Sequence, residues 1–297
     1  AVWRCHVGVD HPNDLAREAW GFLRRYVEAA DAYVFSRREY LWEGLDEARA
    51  WFMAPVIDPF SPKNEDLDEA RRREILSRVE AQATVLGEGP LPEDATVVAQ
   101  VSRWDRLKDP RGLLEVFEHH LDHPSLHLVL VGPDSAGVSD DPEGAAVYAE
   151  AAEHWRGMGA ACRRRSRLIS LPMTDLRENA NMVNALQRRA EVIVQKSLAE
   201  GFGLTVAEAM WKARPVVASR VGGIQDQVLD GETGILVDDP RDLPGFAGAI
   251  ETILADRNRC AEMGRAGRER VRGNYLAVDR LREYVGLVAA LLGGRSN

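Results

Sequence analysis

From residue 95 onward, short and almost wholly apolar runs alternate with stretches of helical periodicity, and this alternation constrains the fold more than any other feature. The apolar runs are ATVVAQV, LHLVLVG, RLISL, EVIVQ and PVVAS, which begin at residues 95, 126, 167, 191 and 215. Runs without a polar face are typical of strands buried on both sides, and such strands occur in parallel sheets covered by helices. The sequence therefore predicts an α/β fold with a doubly wound parallel sheet.

The segments outside this pattern are less regular. Residues 1–58 contain three short apolar runs and one helical pattern, and residues 59–94 are typical of a connector followed by an exposed helix. Residues 276–292 predict a final helix with one apolar stripe, and such a stripe has to cover another surface. The stripe consists of Leu281, Val285, Val288 and Leu292. Because the chain begins with Ala1 in what reads as a strand, we expect it to be a fragment or to lack its natural N-terminus.

Composition disfavours several classes of partner. The 297 residues include 47 acidic and 38 basic side chains, and the formal net charge of −9 argues against nucleic acid or an anionic membrane. The three cysteines, Cys5, Cys162 and Cys260, show no CxxC spacing and predict neither a zinc site nor a disulfide framework. No apolar run reaches the roughly 18 residues of a membrane span, and no signal-peptide pattern is present. We therefore expect a cytoplasmic protein.

The loops after four of the strands are the predicted ligand edge, because ligands of doubly wound sheets bind at the carboxyl ends of the strands. These loops read VSRWDRLK, GPDSAG, LPMTD and KSLAEGFG. The first of them places Arg103, Arg106 and Lys108 just past a strand end. Two of these cations would neutralise a diphosphate, although a solvated loop with ordinary surface charges is the alternative interpretation.

The segment KSLAEGFGLTV combines a glycine-rich turn with the start of a helix that begins at Leu204 and Thr205. The unpaired amide groups at a helix N-terminus form an anion site. Glu208 lies four residues into the helix on the same face as Thr205, and it would accept hydrogen bonds from a ribose beside a bound diphosphate. Glu200, on the turn, would face the opposite end of that ligand. The alternative interpretation is a helix cap with a surface glutamate.

Together these motifs resemble a known family. SRWDRLK is followed about 90 residues later by EGFGLTVAEAMWKARPVVAS and then by VGGIQDQVLDGETGILV, as in the nucleotide-binding half of the retaining GT-B glycosyltransferases. The seven-residue gap between Glu200 and Glu208 resembles the signature glutamate pair of that family. The segments WRCHVGVDHPN, DDPEG, VNALQRRAEVIVQ and AEGFGLTVAEAMWK are closer still to the trehalose glycosyltransferring synthases.

The resemblance implies the GT-B fold, in which two Rossmann-like domains enclose the active site. Residues 1–58 would be the C-terminal remnant of the N-terminal, acceptor-side domain, and residues 59–94 a connector and helix. Residues 95–273 would be the complete nucleotide-sugar-binding domain, and residues 274–297 a helix that crosses back to the N-terminal domain. Since most of the acceptor-side domain is not in this sequence, we expect the chain to bind nucleotide sugar weakly and to transfer poorly.

The family also implies a role for each matching residue. Arg103 and Lys108 would bind the donor diphosphate, and Glu208 would hold the ribose hydroxyls. Glu200 would contact hydroxyls of the transferred sugar, and His6 would contact sugar or phosphate from the edge of the cleft. The backbone of the turn and helix start would complete the donor site through Gly201, Gly203, Leu204 and Thr205. The catalytic group would therefore be Glu200, Arg103, Lys108 and His6, while Arg106 has no assigned role.

The implied reaction is retaining transfer of glucose from UDP-glucose or ADP-glucose to glucose, which makes trehalose reversibly. Fixed positive charge would stabilise the departing diphosphate, so neither a metal nor a cofactor is implied. The partners would be a nucleotide-sugar donor and a sugar acceptor, and a homodimer is left open. The alternatives are a binding module or degenerate homologue without catalysis, a sucrose- or glycogen-type glucosyltransferase, and a GT-B epimerase. A dehydrogenase is disfavoured because the sequence has no GxGxxG.

Two further clusters point to weaker hypotheses. The segment EHHLDHPSLH contains four histidines with a spacing that could suit a metal, but Pro124 would interrupt the helix they need. A basic run formed by Arg163, Arg164, Arg165 and Arg167 precedes a strand. Given the negative net charge, we expect this run to be a solvated face rather than a nucleic-acid patch.

Overall fold

The computed structural model describes residues 1–134 and 142–293, which form two sheets and the helices that cover them. Parts of two segments considered above, GPDSAG and DDPEG, lie outside the described residues. No helix within the described ranges is long and apolar enough to cross a bilayer.

The first sheet has three parallel strands in the order β1 (Val2–Arg4), β2 (Ala32–Phe35) and β3 (Ala50–Phe52). Since side chains alternate along a strand, β2 buries both faces. Tyr33 and Phe35 join one cluster with helix α1 (Asp14–Val27), while Ala32 and Val34 join another with helix α11 (Ala277–Gly293). The N-terminal sheet thus has a helix against each face.

The second sheet has seven strands in the order β10-β9-β8-β5-β6-β7-β4. Their bounds are β4 Thr84–Gly87, β5 Thr96–Val101, β6 Leu126–Pro133, β7 Ser166–Leu171, β8 Val192–Gln195, β9 Val216–Ser219 and β10 Gly234–Val237. All neighbours pair in parallel except β4, which runs antiparallel to β7. The parallel sheet predicted from residue 95 onward is confirmed, and β4 adds an edge strand within the segment for which only a connector and a helix were predicted.

Helices cover both faces of this sheet, as expected of a doubly wound fold. They are α2 Glu69–Gln82, α3 Pro110–His120, α4 Pro142–Gly157, α5 Ala160–Arg164, α6 Leu176–Arg189, α7 Leu204–Trp211, α8 Ile224–Gln227, α9 Leu243–Leu254 and α10 Arg257–Asn274. Val97 and Ala99 of β5 pack into one core cluster with α2, α6, α7 and α10. Val98 points the other way, into a second cluster with α3, α4 and α9. The sheet is therefore buried on both sides.

The final helix crosses to the first sheet, but not through its predicted apolar stripe. Tyr284, Leu287 and Leu291 make the contact, and they pack with Ala32, Val34 and Met53. The four side chains of the predicted stripe, Leu281, Val285, Val288 and Leu292, are 51–64% exposed. These four side chains are therefore not the face that packs on the first sheet, because a neighbouring row of the same helix provides that face.

The predicted solvated basic run also needs correction at Arg167. Arg163 pairs with Glu88 at 2.9 Å near the surface, as a solvated face would. Arg167, however, is only 4% exposed on β7, where the sheet register places it beside Val129 and Gly87. Burial lowers the pKa of Arg167, with Glu80 opposing the shift. The strand begins one residue before Arg167, so its side chain belongs to the sheet rather than to the loop.

Candidate functional site

A cavity of about 520 Å³ opens at the carboxyl ends of the central strands, where the sequence predicts a ligand. The last residues of β5, β6 and β7 and the residues that follow β5 and β7 contribute to its wall, together with α6, the start of α7 and the segment that links the two sheets. Its polar lining includes Lys63, Ser102, Arg103, Asn179 and Thr205. A larger cavity of about 900 Å³ lies at the opposite, amino ends of the strands. Of the predicted binding residues, Arg103 and Thr205 line the first cavity.

The start of α7 has the geometry of an anion site. Gly203 is the N-cap with φ +82°, and its position has no side-chain capping bond. A Cβ there would lie 3.0 Å from Ile224 and 3.2 Å from Glu200, so both the backbone angle and the close packing require glycine. Because no side chain caps this helix, its first amide groups can donate to a bound anion.

Glu200 and Lys108 lie together beside this helix start. The Lys108 amine forms an ion pair with Oε2 of Glu200, and both side chains are largely buried. Glu200 also accepts a hydrogen bond from the Gly201 amide at 3.1 Å and lies 3.4 Å from the Ser197 hydroxyl. Two residues predicted to bind different parts of one ligand thus form an ion pair with each other.

Glu208 is buried one turn into α7 and is only half satisfied. Its Oε1 lies 2.9 Å from the Lys63 amine. Its Oε2 is buried and, among the described residues, has no hydrogen-bond partner. Buried carboxylate oxygens are normally hydrogen bonded, so this atom is a position where a ligand hydroxyl can donate. Lys63 comes from the link between the sheets, and no motif in the sequence pointed to it.

Lys212 is buried next to Glu208. Its amine donates to Asn64 Oδ1 at 3.0 Å and to the Glu208 carbonyl at 3.1 Å. Burial lowers the pKa of Lys212 to about 7, against the attraction of Glu208. Asn64 in turn donates to the Asp58 carbonyl at 3.0 Å, so Lys212 ties the linker that carries Lys63 to helix α7.

The other predicted cations differ in their placement. Arg103 is exposed, pairs with Asp105 at 3.0 Å and lines the cavity. Arg106, to which no role was assigned, makes two bonds of 2.8 and 2.6 Å to Glu150. Thr205 also lines the cavity, and its hydroxyl donates to Gln195 at 3.0 Å, while Leu204 is partly exposed at the helix start.

His6 lies on the exposed chain after β1, and no hydrogen bond or ion pair joins its ring to another residue within 1–134 and 142–293. Its role at the edge of a cleft stays a prediction. Within the same described ranges, no group of three or more His, Cys, Asp or Glu side chains is arranged to hold a metal ion.

Two residues of the N-terminal segment contact the Glu200 turn and the loop of Gly222 beside it. The sequence did not predict these contacts. The Tyr40 hydroxyl donates to the Gly201 carbonyl, and Asp10 accepts from the Gly222 amide at 2.6 Å. Gly222 has φ +51°, and a Cβ on it would lie 1.7 Å from the Glu200 carbonyl oxygen. The paired glycines of GGIQDQ were therefore the available signal in the sequence.

A buried arginine fixes the same contact. Arg37 is 6% exposed, bonds to Asp226 at 2.6 Å and forms an ion pair with Asp10. Although burial opposes the shift, Asp226 and Asp10 raise the pKa of Arg37. For Tyr40, burial is the main cause of a raised pKa of about 12. Its hydroxyl therefore stays protonated and can donate. The first sheet is thereby held against the turn that carries Glu200.

Comparison with known families agrees with this geometry. Residues 176–270, which contain the Glu200 turn and α7, match the family described as glycosyl transferases group 1. Residues 1–42 match the N-terminal domain of trehalose synthase. The resemblance inferred from the motifs is thus confirmed from both ends of the chain.

Similar proteins cover nearly the whole chain. It is 37% identical to the trehalose synthase of Pyrococcus horikoshii and 39% identical to that of Rubrobacter xylanophilus, over 98% of its length in each case. The solved structure of sucrose-phosphate synthase from Thermosynechococcus elongatus, a GT-B glycosyltransferase, is 25% identical with a TM-score of 0.74. The match covers 99% of this chain and 68% of that structure, which confirms the expected GT-B fold. The chain spans 64% of the length of each of the two trehalose synthases.

Proposed function

We propose that this chain, a homologue of the trehalose synthases with a glycosyl transferases group 1 domain, binds a nucleotide-activated glucose along the carboxyl edge of its larger sheet and transfers the glucosyl group. The nucleoside occupies the cavity of about 520 Å³, and the diphosphate lies at the start of α7. The ribose hydroxyls donate to Glu208. The observation that carries this proposal is the buried Oε2 of Glu208, which needs a donor that the described residues do not supply.

Donor binding exchanges one set of charge contacts for another. Lys108 leaves Glu200 to neutralise the diphosphate, and Arg103 approaches the same phosphates from the cavity wall. The freed Glu200 carboxylate then accepts hydrogen bonds from hydroxyls of the glucosyl group. In this exchange the diphosphate replaces Glu200 as the anion beside Lys108.

The chemistry is breakage of the bond between the anomeric carbon and the leaving phosphate oxygen. Negative charge grows on that oxygen while the sugar becomes cationic. The amine of Lys108, the guanidinium of Arg103 and the first amides of α7 are fixed donors for the growing negative charge. An acceptor hydroxyl then bonds to the same carbon with retention and gives up its proton to the departing diphosphate, and the reverse reaction uses the same groups. His6 contacts the sugar or phosphate from the edge of the site.

We further propose that the donor is UDP-glucose or ADP-glucose, that the acceptor is glucose and that the product is trehalose. The similarity to trehalose synthases supports this choice of acceptor. The protein is proposed to act in the cytoplasm, where its three free cysteines would stay reduced. A homodimer is the assembly to test.

Calorimetry with UDP-glucose and ADP-glucose tests donor binding through two neighbouring cations. Lys108→Gln should weaken binding by about tenfold or more, since a charge-assisted contact to phosphate is lost. Arg106→Gln is the matched control, because Arg106 bonds to Glu150 instead, and it should bind like the unaltered chain. Equal affinities for all three proteins would contradict the proposed site.

Product analysis with the full-length protein separates the candidate activities. Trehalose formation from donor and glucose supports the transferase. Donor binding without any product would favour a binding module, and release of an epimerised sugar without acceptor would favour an epimerase.

A further inference from the structure

Beside the proposed diphosphate site lies a second pair of opposite charges that makes none of the proposed donor contacts. Lys196 is 1% exposed, and its amine forms an ion pair with Asp109, the residue directly after Lys108. The same amine lies 5.5 Å from the centre of the Phe246 ring. A lysine is seldom buried this deeply unless it is paired, so Asp109 is the partner that makes its position tolerable.

Asp109 has an unusual backbone. Its φ of 45° and ψ of 53° lie in the left-handed region, which non-glycine residues seldom adopt. It ends the short helix Arg106–Lys108 and caps α3, since its Oδ1 accepts from the Gly112 amide at 3.0 Å. The direction of the chain after Lys108 therefore depends on the left-handed conformation of Asp109, and this conformation needs stabilising contacts.

Further hydrogen bonds lock the loop of Lys108 to the loop of Lys196. The side chain of Gln100 donates to the Lys108 carbonyl at 2.8 Å and accepts from the Lys196 amide at 3.0 Å. The Leu198 amide donates to the Leu107 carbonyl at 2.8 Å. Space is also tight, because a Cβ on Gly112 would lie 2.6 Å from the Lys196 amine. The ion pair thus stands at the centre of a packed junction between the two loops.

We propose that Lys196 is a positioning residue for nucleoside diphosphate recognition. Through Asp109 it holds the left-handed turn after Lys108, and so it aims the Lys108 amine at Glu200 and at the start of α7. Lys196 does not touch the ligand. This inference rests on the proposed function in one respect, the role of Lys108 as the cation for the diphosphate.

Binding of nucleosides and nucleoside diphosphates tests the inference, because only the diphosphate needs Lys108. The readout is the ratio of Kd values for uridine and UDP, and for adenosine and ADP. Lys196→Met should lower this ratio by about tenfold or more while leaving nucleoside affinity within about twofold. Arg111→Met, an exposed cation on the first turn of α3, should change neither quantity.

Rescue distinguishes positioning from a general loss of stability. Glycine adopts positive φ freely, so Lys196→Met combined with Asp109→Gly should recover the ratio to within about threefold of the unaltered chain. If Lys196→Met does not fold, Asp109→Asn takes its place, because asparagine tolerates this backbone and caps the helix but lacks the charge. An unchanged ratio in the folded single variant, an equal loss for nucleoside and diphosphate, or no rescue would overturn the inference.

A ligand-free measurement keeps this inference separate from the proposed function. Hydrogen exchange of the amides of Asp109, Gly112 and Leu113 reports the junction directly, since all three donate within the turn or to Asp109. Exchange of all three amides should accelerate in Lys196→Met. In the double variant, the amides of residue 109 and Leu113 should return toward normal, whereas the Gly112 amide has lost its acceptor on Asp109. If the unaltered chain shows no preference for diphosphate, the proposed donor site fails, yet the exchange rates still decide whether Lys196 holds the turn. Unchanged exchange would refute the positioning role itself.

Discussion

At the scale of single residues, the candidate donor site contains two pairs of opposite charges, Lys108 with Glu200 and Lys63 with Glu208. Glu200 and Glu208 could be singled out from the sequence, because their spacing around a glycine-rich turn resembles the signature glutamate pair of the family. Their present partners could not be predicted. Lys63 reaches Glu208 from a linker far away in sequence, and Lys212 is hidden because a lysine on a helix ordinarily predicts a solvent-facing side chain.

Lys212 makes the stability of the protein depend on pH. Its pKa is about 7 in the folded chain, against an ordinary value of 10.5. Burial disfavours the ammonium form, so the resulting penalty is full below about pH 7 and disappears as pH rises toward 10.5. The free energy of unfolding should therefore rise with pH by about 1 kcal/mol per unit from this group alone.

Urea unfolding at pH 7.5, 8.25 and 9 (about the middle of this window) compares the chain with Lys212→Met. As pH rises, the free energy of unfolding of the unaltered chain should increase relative to that of Lys212→Met, because methionine has no proton to lose. The charged neighbours of Lys212, which are Glu208, Arg188 and Lys63, are common to both proteins, so their contributions cancel to first order. A difference that stays constant with pH would show that Lys212 does not titrate in this range.

At the level of elements, strands with unbroken apolar runs were predictable and the two edge strands of the larger sheet were not. β5 to β9 are each buried along their length or nearly so, and this produces the pattern that identified them. β4 is a partly exposed antiparallel strand of four residues, and β10 follows directly on the DGETG turn. Such strands are defined by their neighbours more than by their own composition.

The loop containing Gly222 shows how packing, rather than turn chemistry, can require glycine. Gly222→Ala should lower the free energy of unfolding by at least about 2 kcal/mol more than the strain of a left-handed backbone alone would. The reason is that its Cβ would lie 1.7 Å from the Glu200 carbonyl oxygen. It should also weaken donor binding, because the Glu200 turn must move. Gly231→Ala is the matched control: φ is +78° there, but in the described part of the chain no atom beyond its two chain neighbours lies within 4 Å of the added Cβ.

Chemical denaturation and donor titration of both glycine variants measure these effects. Gly231→Ala should lose only about 1–2 kcal/mol from backbone strain and should bind donor normally. Equal losses of stability in the two variants, with donor affinity intact in both, would mean that the contact between the Gly222 loop and the Glu200 turn has no part in the site.

In the whole molecule, the N-terminal sheet is joined to the ligand edge of the larger sheet. Arg37, Asp10 and Tyr40 contact the two loops around Glu200 and Asp226, and α11 returns from the larger unit to the first sheet. The resemblance to GT-B enzymes implied such a return. The face of α11 that makes the contact was not predictable, because two adjacent rows of this helix are both apolar and only the tertiary fit selects one.

The central claim is that a nucleotide-activated sugar binds at this edge of the larger sheet. The most direct test compares donors with and without the ribose hydroxyls on two proteins. Calorimetry would compare UDP-glucose with its 2′,3′-dideoxyribose analogue, and ADP-glucose with its own analogue, on the unaltered chain and on Glu208→Ala. The unaltered chain should bind the analogue about tenfold or more weakly, whereas Glu208→Ala should bind donor and analogue alike, because the carboxylate that reads the hydroxyls is gone. An equal penalty for the analogue in both proteins would contradict the placement of the ribose on Glu208.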